Sequence, residues 1–179
     1  MSKIVRKVES RMLEKQLISR INEDFDSFGR PSFASYISSD CSEAREIESY
    51  FKGKVWQEVT LDSLIDSYGS EGSECLGFLV SEAASYYLPS FMVISMKHMY
   101  DNNVGIVTYS ALQYIERDVD FLLDAYTDNE LMCLVLFIEY IKLIELLDMG
   151  AVNNDCGPYY AMAIKLLKKL PSPKIYEFP

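Results

Sequence analysis

The run LMCLVLFIEYIKLIELL, from Leu131 to Leu147, constrains this chain more than any other segment. It is 17 residues long, and its only charges are Glu139, Lys142 and Glu145. A helix that crosses a bilayer needs about 20 apolar residues with few or no charges. Here the three charges recur every third residue, so they share one side of a helix with opposite signs adjacent. Such a helix must be covered by protein over most of its circumference and wetted along a narrow stripe. The spacing therefore predicts a central apolar helix inside a helical bundle, with no membrane span. Thr127 and Glu130 stand three apart just before it, the arrangement of a capping box, and Gly150 follows its end.

The rest of the chain supplies elements that can cover that helix. Ile4, Val8, Met12, Leu17, Ile21 and Phe25 trace a drifting apolar stripe on a first helix from about Lys3 to Phe25. FGRPSFASYISSD has the glycine, proline and serines of a loop. Asp40 and Glu43 read as a capping box for a short helix that Gly53 ends, and Thr60 caps another that Gly69 closes. A helix starting at Ser81 should be kinked or broken at Pro89, because proline lacks the N–H and clashes with the preceding turn. The second segment resumes from Ser90 to about Tyr100, with the proline at or near its first position. DNNVGIVTYS reads as a turn or short strand, followed by a helix from about Ala111 to Tyr126. A last helix runs from Pro158 to about Leu170. The fold expected is all-α: a single-domain helical bundle of about seven to eight helices over residues 1–170, one of them proline-interrupted, with 171–179 as a tail.

Charge narrows the partners. The formal net charge is -10, from 27 acids and 17 bases. Residues 1–31 carry a net +2, residues 40–82 carry -7 and residues 116–130 carry -5, so two segments hold the whole excess. A sequence-independent grip on nucleic acid or an anionic membrane needs clustered Lys and Arg, which this pattern lacks. A protein partner with a basic surface is expected instead.

Chemistry-bearing motifs are scarce. Cys41, Cys75, Cys133 and Cys156 form no C-x-x-C, and His98 is the lone histidine, so neither a metal site nor a cofactor is expected. The opening MSKIVRKVESRM lacks the apolar core of a secretory signal, so a cytoplasmic, reducing setting with free thiols is expected, Cys133 among the core residues. No G-x-S-x-G, P-loop, dinucleotide fingerprint or H-E-x-x-H occurs, and His98 sits among methionines in ISMKHMY. No catalytic residue is assigned and an enzyme is not expected.

One acidic pattern is more specific. Glu116, Asp120, Asp124 and Asp128 recur every four residues and would line one helix face, with Asp118 on another side, unless Asp128 falls past the helix end or at the next cap. The row could be a solvated face opposite Leu122 and Leu123, or a docking strip for Lys and Arg of a partner. A di-metal carboxylate site would want Glu-x-x-His partners, which are missing. Glu71 and Glu74 add to the candidate partner-binding acids.

The stretch around Trp56 carries a resemblance. The order is Ile21 and Phe25, then Arg30-Pro31, Asp40-Cys41 and Phe51, then Trp56, a leucine helix and GFLVSEAASYYLPSFM. This resembles an uncharacterised bacterial family with a W-x-x-(V/L)-x-x-x-x-L stretch followed by F-L-x-P-E-x-x-x-Y-Y-L-P-A-Y. The matching positions are Trp56, Val59, Leu64, Phe78, Leu79, Glu82, Tyr86, Tyr87, Leu88 and Pro89. Ser81 stands where the family usually has proline, and Ser90-Phe91 where it has Ala-Tyr. The resemblance covers residues 15–100 well and the later helices loosely. It implies a fold and a bacterial, cytoplasmic setting, and brings no catalytic residue. Physically, Y-Y-L-P is a packing and kink signature, or the lid of a ligand pocket under the kink.

Three functions are compatible with these features. The first is an acidic binding protein that neutralises a basic macromolecular partner, most concretely an immunity protein inhibiting a toxin. The second is a small-ligand-binding or enzymatic domain with a pocket near Trp56, Tyr86 and Tyr87. The third is a regulatory subunit of a helical assembly.

Overall fold

A computed structural model describes residues 3–29, 32–68, 75–98, 104–148, 166 and 168. Among these, the chain forms α1 (Lys3–Asp24), α2 (Ser42–Phe51), a 3-10 turn (Trp56–Glu58), α3 (Leu61–Tyr68), α4 (Cys75–Phe78), α5 (Ser81–Lys97), α6 (Val104–Arg117), α7 (Val119–Ala125) and α8 (Asp128–Asp148). The fold is all-α, and no strand occurs among the described residues; a single antiparallel bridge joins Ile37 to Leu79. Gly69, Gly150, most of the helix expected after Pro158, and the tail lie outside the described residues. Leu166 is helical and buried.

Two helices organise the interior. Every residue of α5 from Ala83 to Met96 is buried, and α1, α4, the 3-10 turn and α6 pack around it. The apolar helix α8 lies against α1. The two run antiparallel, since Cys133 meets Asp24 while Tyr140, further along α8, meets Glu14, nearer the start of α1. On α8, Glu139 is exposed while Lys142 is buried with its Nζ 3.3 Å from the Glu139 carboxylate, so the wet stripe is narrower than the charges suggest. The Thr127–Glu130 capping box forms as expected, with Thr127 N–H donating to Glu130 Oε2 at 2.6 Å and Glu130 N–H to Thr127 Oγ1 at 3.4 Å.

Several local expectations are corrected. Helix α5 runs unbroken through Pro89, and no second helix starts there. Helix α6 begins at Val104 where a turn or strand was expected. Its β-branched start favours extended backbone, but the helical register puts Val107, Ala111, Tyr114 and Ile115 on one buried face against α5, and that packing wins. The helix expected from 111 to 126 divides at Asp118, whose backbone is at φ -108 and ψ 22. Cys41, not Asp40, caps α2, its Sγ accepting from Ala44 N–H at 3.4 Å; the Asp40 carboxylate is taken by Arg45 at 2.7 Å. Met12 is 59% exposed, so the apolar stripe of α1 runs through Leu13, Leu17, Ile21 and Phe25 instead.

Candidate functional site

The Y-Y-L-P segment is a hub of buried rings tied to backbone carbonyls. Tyr86 donates to Gly29 O at 2.9 Å, and Tyr87 to Phe51 O at 2.6 Å and Lys54 O at 3.0 Å. Trp56 donates its Nε1–H to Phe25 O at 3.3 Å, and Ser90 donates its hydroxyl to Trp56 O. Phe25, Phe28, Tyr86 and Tyr126 are in ring contact, as are Phe51, Tyr87 and Phe91, and the edge-on contact of Tyr86 with Tyr87 at 4.9 Å joins the two groups. Trp56, Tyr87 and Leu88 are at most 2% exposed. Burial pushes the Tyr87, Tyr114 and Tyr126 phenols up from their ordinary values, so they stay neutral donors. Chemically the hub joins α5 to the α1 end, the α2 end and the 3-10 turn.

The candidate carboxylates divide into two kinds. Glu116, Asp120, Asp124 and Asp128 are all exposed. The i to i+4 bonds continue through the bend, with Asp118 N–H on Tyr114 O and Leu122 N–H on Asp118 O, so Glu116, Asp120 and Asp124 keep a common outward side. Asp128 does not extend that row on the same helix: Tyr126 is extended, and Asp128 falls in the first turn of α8. There its negative charge suits the helix N-terminus. Among the described residues, Glu116, Asp124 and Asp128 make no ion pair. Asp118 and Glu130 differ. Asp118 binds Arg117 at 2.5 and 2.8 Å and accepts from Ser81 Oγ at 3.3 Å, and Glu130 is buried in its capping box. Glu71 and Glu74 lie outside the described residues. His98 caps the C-terminus of α5 and is half-buried.

Beside this row lies an open cleft of about 560 Å³, lined by Gly77 and Phe78 of α4 and by Ser110, Gln113, Tyr114, Glu116 and Arg117 of α6. Only Glu116 of these was a candidate from sequence. Ser110, Gln113 and Arg117 follow the i, i+3, i+7 spacing of a helix face, a signal that is hidden when 101–110 is read as a turn or strand. Among the described residues no group of His, Cys, Asp and Glu could hold a metal ion, and no helix is long and apolar enough to cross a membrane.

A family model described as "Family of unknown function (DUF6714)" matches residues 14–154, so the likeness to an uncharacterised family extends through the later helices as well. No curated protein and no solved structure matches the chain.

Proposed function

Because the chain belongs to the DUF6714 family, a family of unknown function, we propose its role from its own surface: it binds a basic macromolecular partner, most concretely as a cytoplasmic immunity protein that blocks a bacterial toxin. The observation that carries this is the outward row of Glu116, Asp120 and Asp124, with Asp128 also exposed at the start of α8; Glu116, Asp124 and Asp128 make no ion pair among the described residues. Like charges four apart on a helix repel by roughly a few tenths of a kcal/mol per pair, and a cationic partner relieves that repulsion on binding. The excess of acids in the whole chain, net -10, steers a basic partner towards it. A ligand site beneath Pro89 has less support, since the rings there are buried and their hydroxyls hold backbone carbonyls.

The test is co-expression with the product of the gene adjacent to the one encoding this chain. Under this reading the neighbour alone arrests growth, and the intact chain restores it. A variant with Glu116→Gln, Asp120→Asn, Asp124→Asn and Asp128→Asn folds but does not restore it. A harmless neighbour, or equal rescue by the variant, sinks the reading.

A further inference from the structure

We infer that the α4–α6 cleft is the anchor point of this face and takes one arginine side chain of the basic partner. The inference rests on the partner-binding reading and adds where, and by what chemistry, the partner is gripped.

Ser110 points to an occupant. It is 6% exposed and lines the cleft, yet its hydroxyl has no hydrogen bond among the described residues. The buried serines of α5 all spend theirs, Ser85 on Glu82 O at 2.9 Å, Ser95 on Phe91 O at 2.7 Å and Ser90 on Trp56 O. Among the described residues no side-chain polar atom sealed from solvent lacks a partner, so the Ser110 oxygen opens on the cleft. The cleft volume of about 560 Å³ falls inside the range of about 300–1,000 Å³ typical of ligand sites.

The lining selects a cation. Arg117 is spoken for: Asp118 takes its Nε and Nη2, Nη1 reaches Gly77 O at 3.5 Å, and its guanidinium lies 5.4 Å from the Tyr114 ring centre. Glu116 has no ion pair among the described residues, which leaves the cleft with one uncompensated negative charge. Gln113 gives one amide N–H to Tyr109 Oη at 2.8 Å, and its carbonyl oxygen remains as an acceptor. Ser110 Oγ, Gln113 Oε1 and the Glu116 carboxylate together form an acceptor set for a guanidinium, whose planar, multi-donor head and weak hydration suit such a site better than an ammonium. Tyr109, 54% exposed, is tied by that hydrogen bond to Gln113 of the lining.

The test is fluorescence anisotropy with a labelled oligo-arginine peptide, with its citrulline and lysine counterparts as controls. Gly77→Leu plugs the cleft without touching a charge: the position is helical, and an added Cβ meets nothing within 4 Å. The expected result is a loss of roughly tenfold or more in arginine-peptide affinity, the order of one lost interface anchor. Ser110→Ala weakens binding by a smaller factor, and the citrulline and lysine peptides bind less well than arginine. Wild-type affinity in Gly77→Leu, alongside loss in an Asp120→Asn, Asp124→Asn, Asp128→Asn variant, overturns the cleft and leaves the acidic face standing. If wild type binds no cationic peptide, the partner reading falls, and the cleft with it. Should Gly77→Leu not fold, unchanged affinity in both Ser110→Ala and Glu116→Gln overturns the inference, and loss in both upholds it.

Discussion

The Tyr126 hydroxyl donates to the Ser85 carbonyl at 2.6 Å. Ser85 stands one helical turn before Pro89, so its carbonyl is the one that proline leaves without a backbone donor. A phenol from the end of α7 therefore replaces the missing helical bond, and α5 passes through the proline without breaking. Tyr126→Phe leaves a buried acceptor unsatisfied and should cost about 1–3 kcal/mol. In a Pro89→Ala background residue 89 regains its N–H, and the same change should cost measurably less. Urea unfolding followed by Trp56, the lone tryptophan, gives the double-mutant cycle. Additive effects would mean that the two residues are not coupled.

The turn after α2 depends on a glycine and on a distant tyrosine. Gly53 has φ 79, in the left-handed region, and an added Cβ would meet nothing within 4 Å. Gly53→Ala should thus cost about 1–2 kcal/mol through backbone conformation alone. Tyr87→Phe removes the donor shared by Phe51 O and Lys54 O on either side of that glycine, and should cost about 1–3 kcal/mol. Chemical denaturation checks both, and a neutral Gly53→Ala would contradict the left-handed turn.

Alkaline pH should unfold the chain through its buried acids. Burial pushes the Cys75 thiol up to about 12, raises Cys133 further, with the Asp24 carboxylate adding to it, and raises Tyr87, Tyr114 and Tyr126 in the same direction. The folded chain therefore keeps protons that the unfolded chain releases, starting with thiols at about pH 8.5. The stability these groups contribute is full below that value and is lost as pH rises through their folded pKa values. Unfolding free energy should be flat up to about pH 8 and fall steeply towards pH 12. In the native state Cys41, partly exposed, should react with a thiol reagent well before Cys75 and Cys133. Mass mapping of a timed alkylation decides that order.

What could be read from sequence was what local chemistry settles. The Thr127–Glu130 box, the Thr60 cap with Ser63 N–H on its Oγ1 at 3.2 Å, and the burial of α8 depend on near neighbours and periodicity. The continuity of α5 depends on Tyr126, far along the chain from Ser85, and no spacing rule announces that pairing. Helix α6 was hidden because Val104, Val107 and Thr108 prefer extended backbone in isolation, and only packing on α5 reverses the preference. The cleft shared that fate, since its α6 residues make a face only once the helix is known.

The acids can be sorted by what their loss does to stability. Glu130 is buried and satisfies the Thr127 N–H, so Glu130→Ala should cost about 0.5–2 kcal/mol, as the loss of a helix cap does. Glu116 and Asp124 are exposed and hold no ion pair among the described residues. Neutralising them as Glu116→Gln and Asp124→Asn relieves like-charge spacing and should leave stability unchanged or raised by about a few tenths of a kcal/mol. Thermal unfolding of the three variants separates the classes. If the outward pair instead cost as much as Glu130, those carboxylates would be holding the fold together, and a partner could not draw on them without unfolding what it binds. A neutral or stabilising result, with loss of cationic-peptide binding in the same proteins, is the pattern of charges kept for something outside the chain.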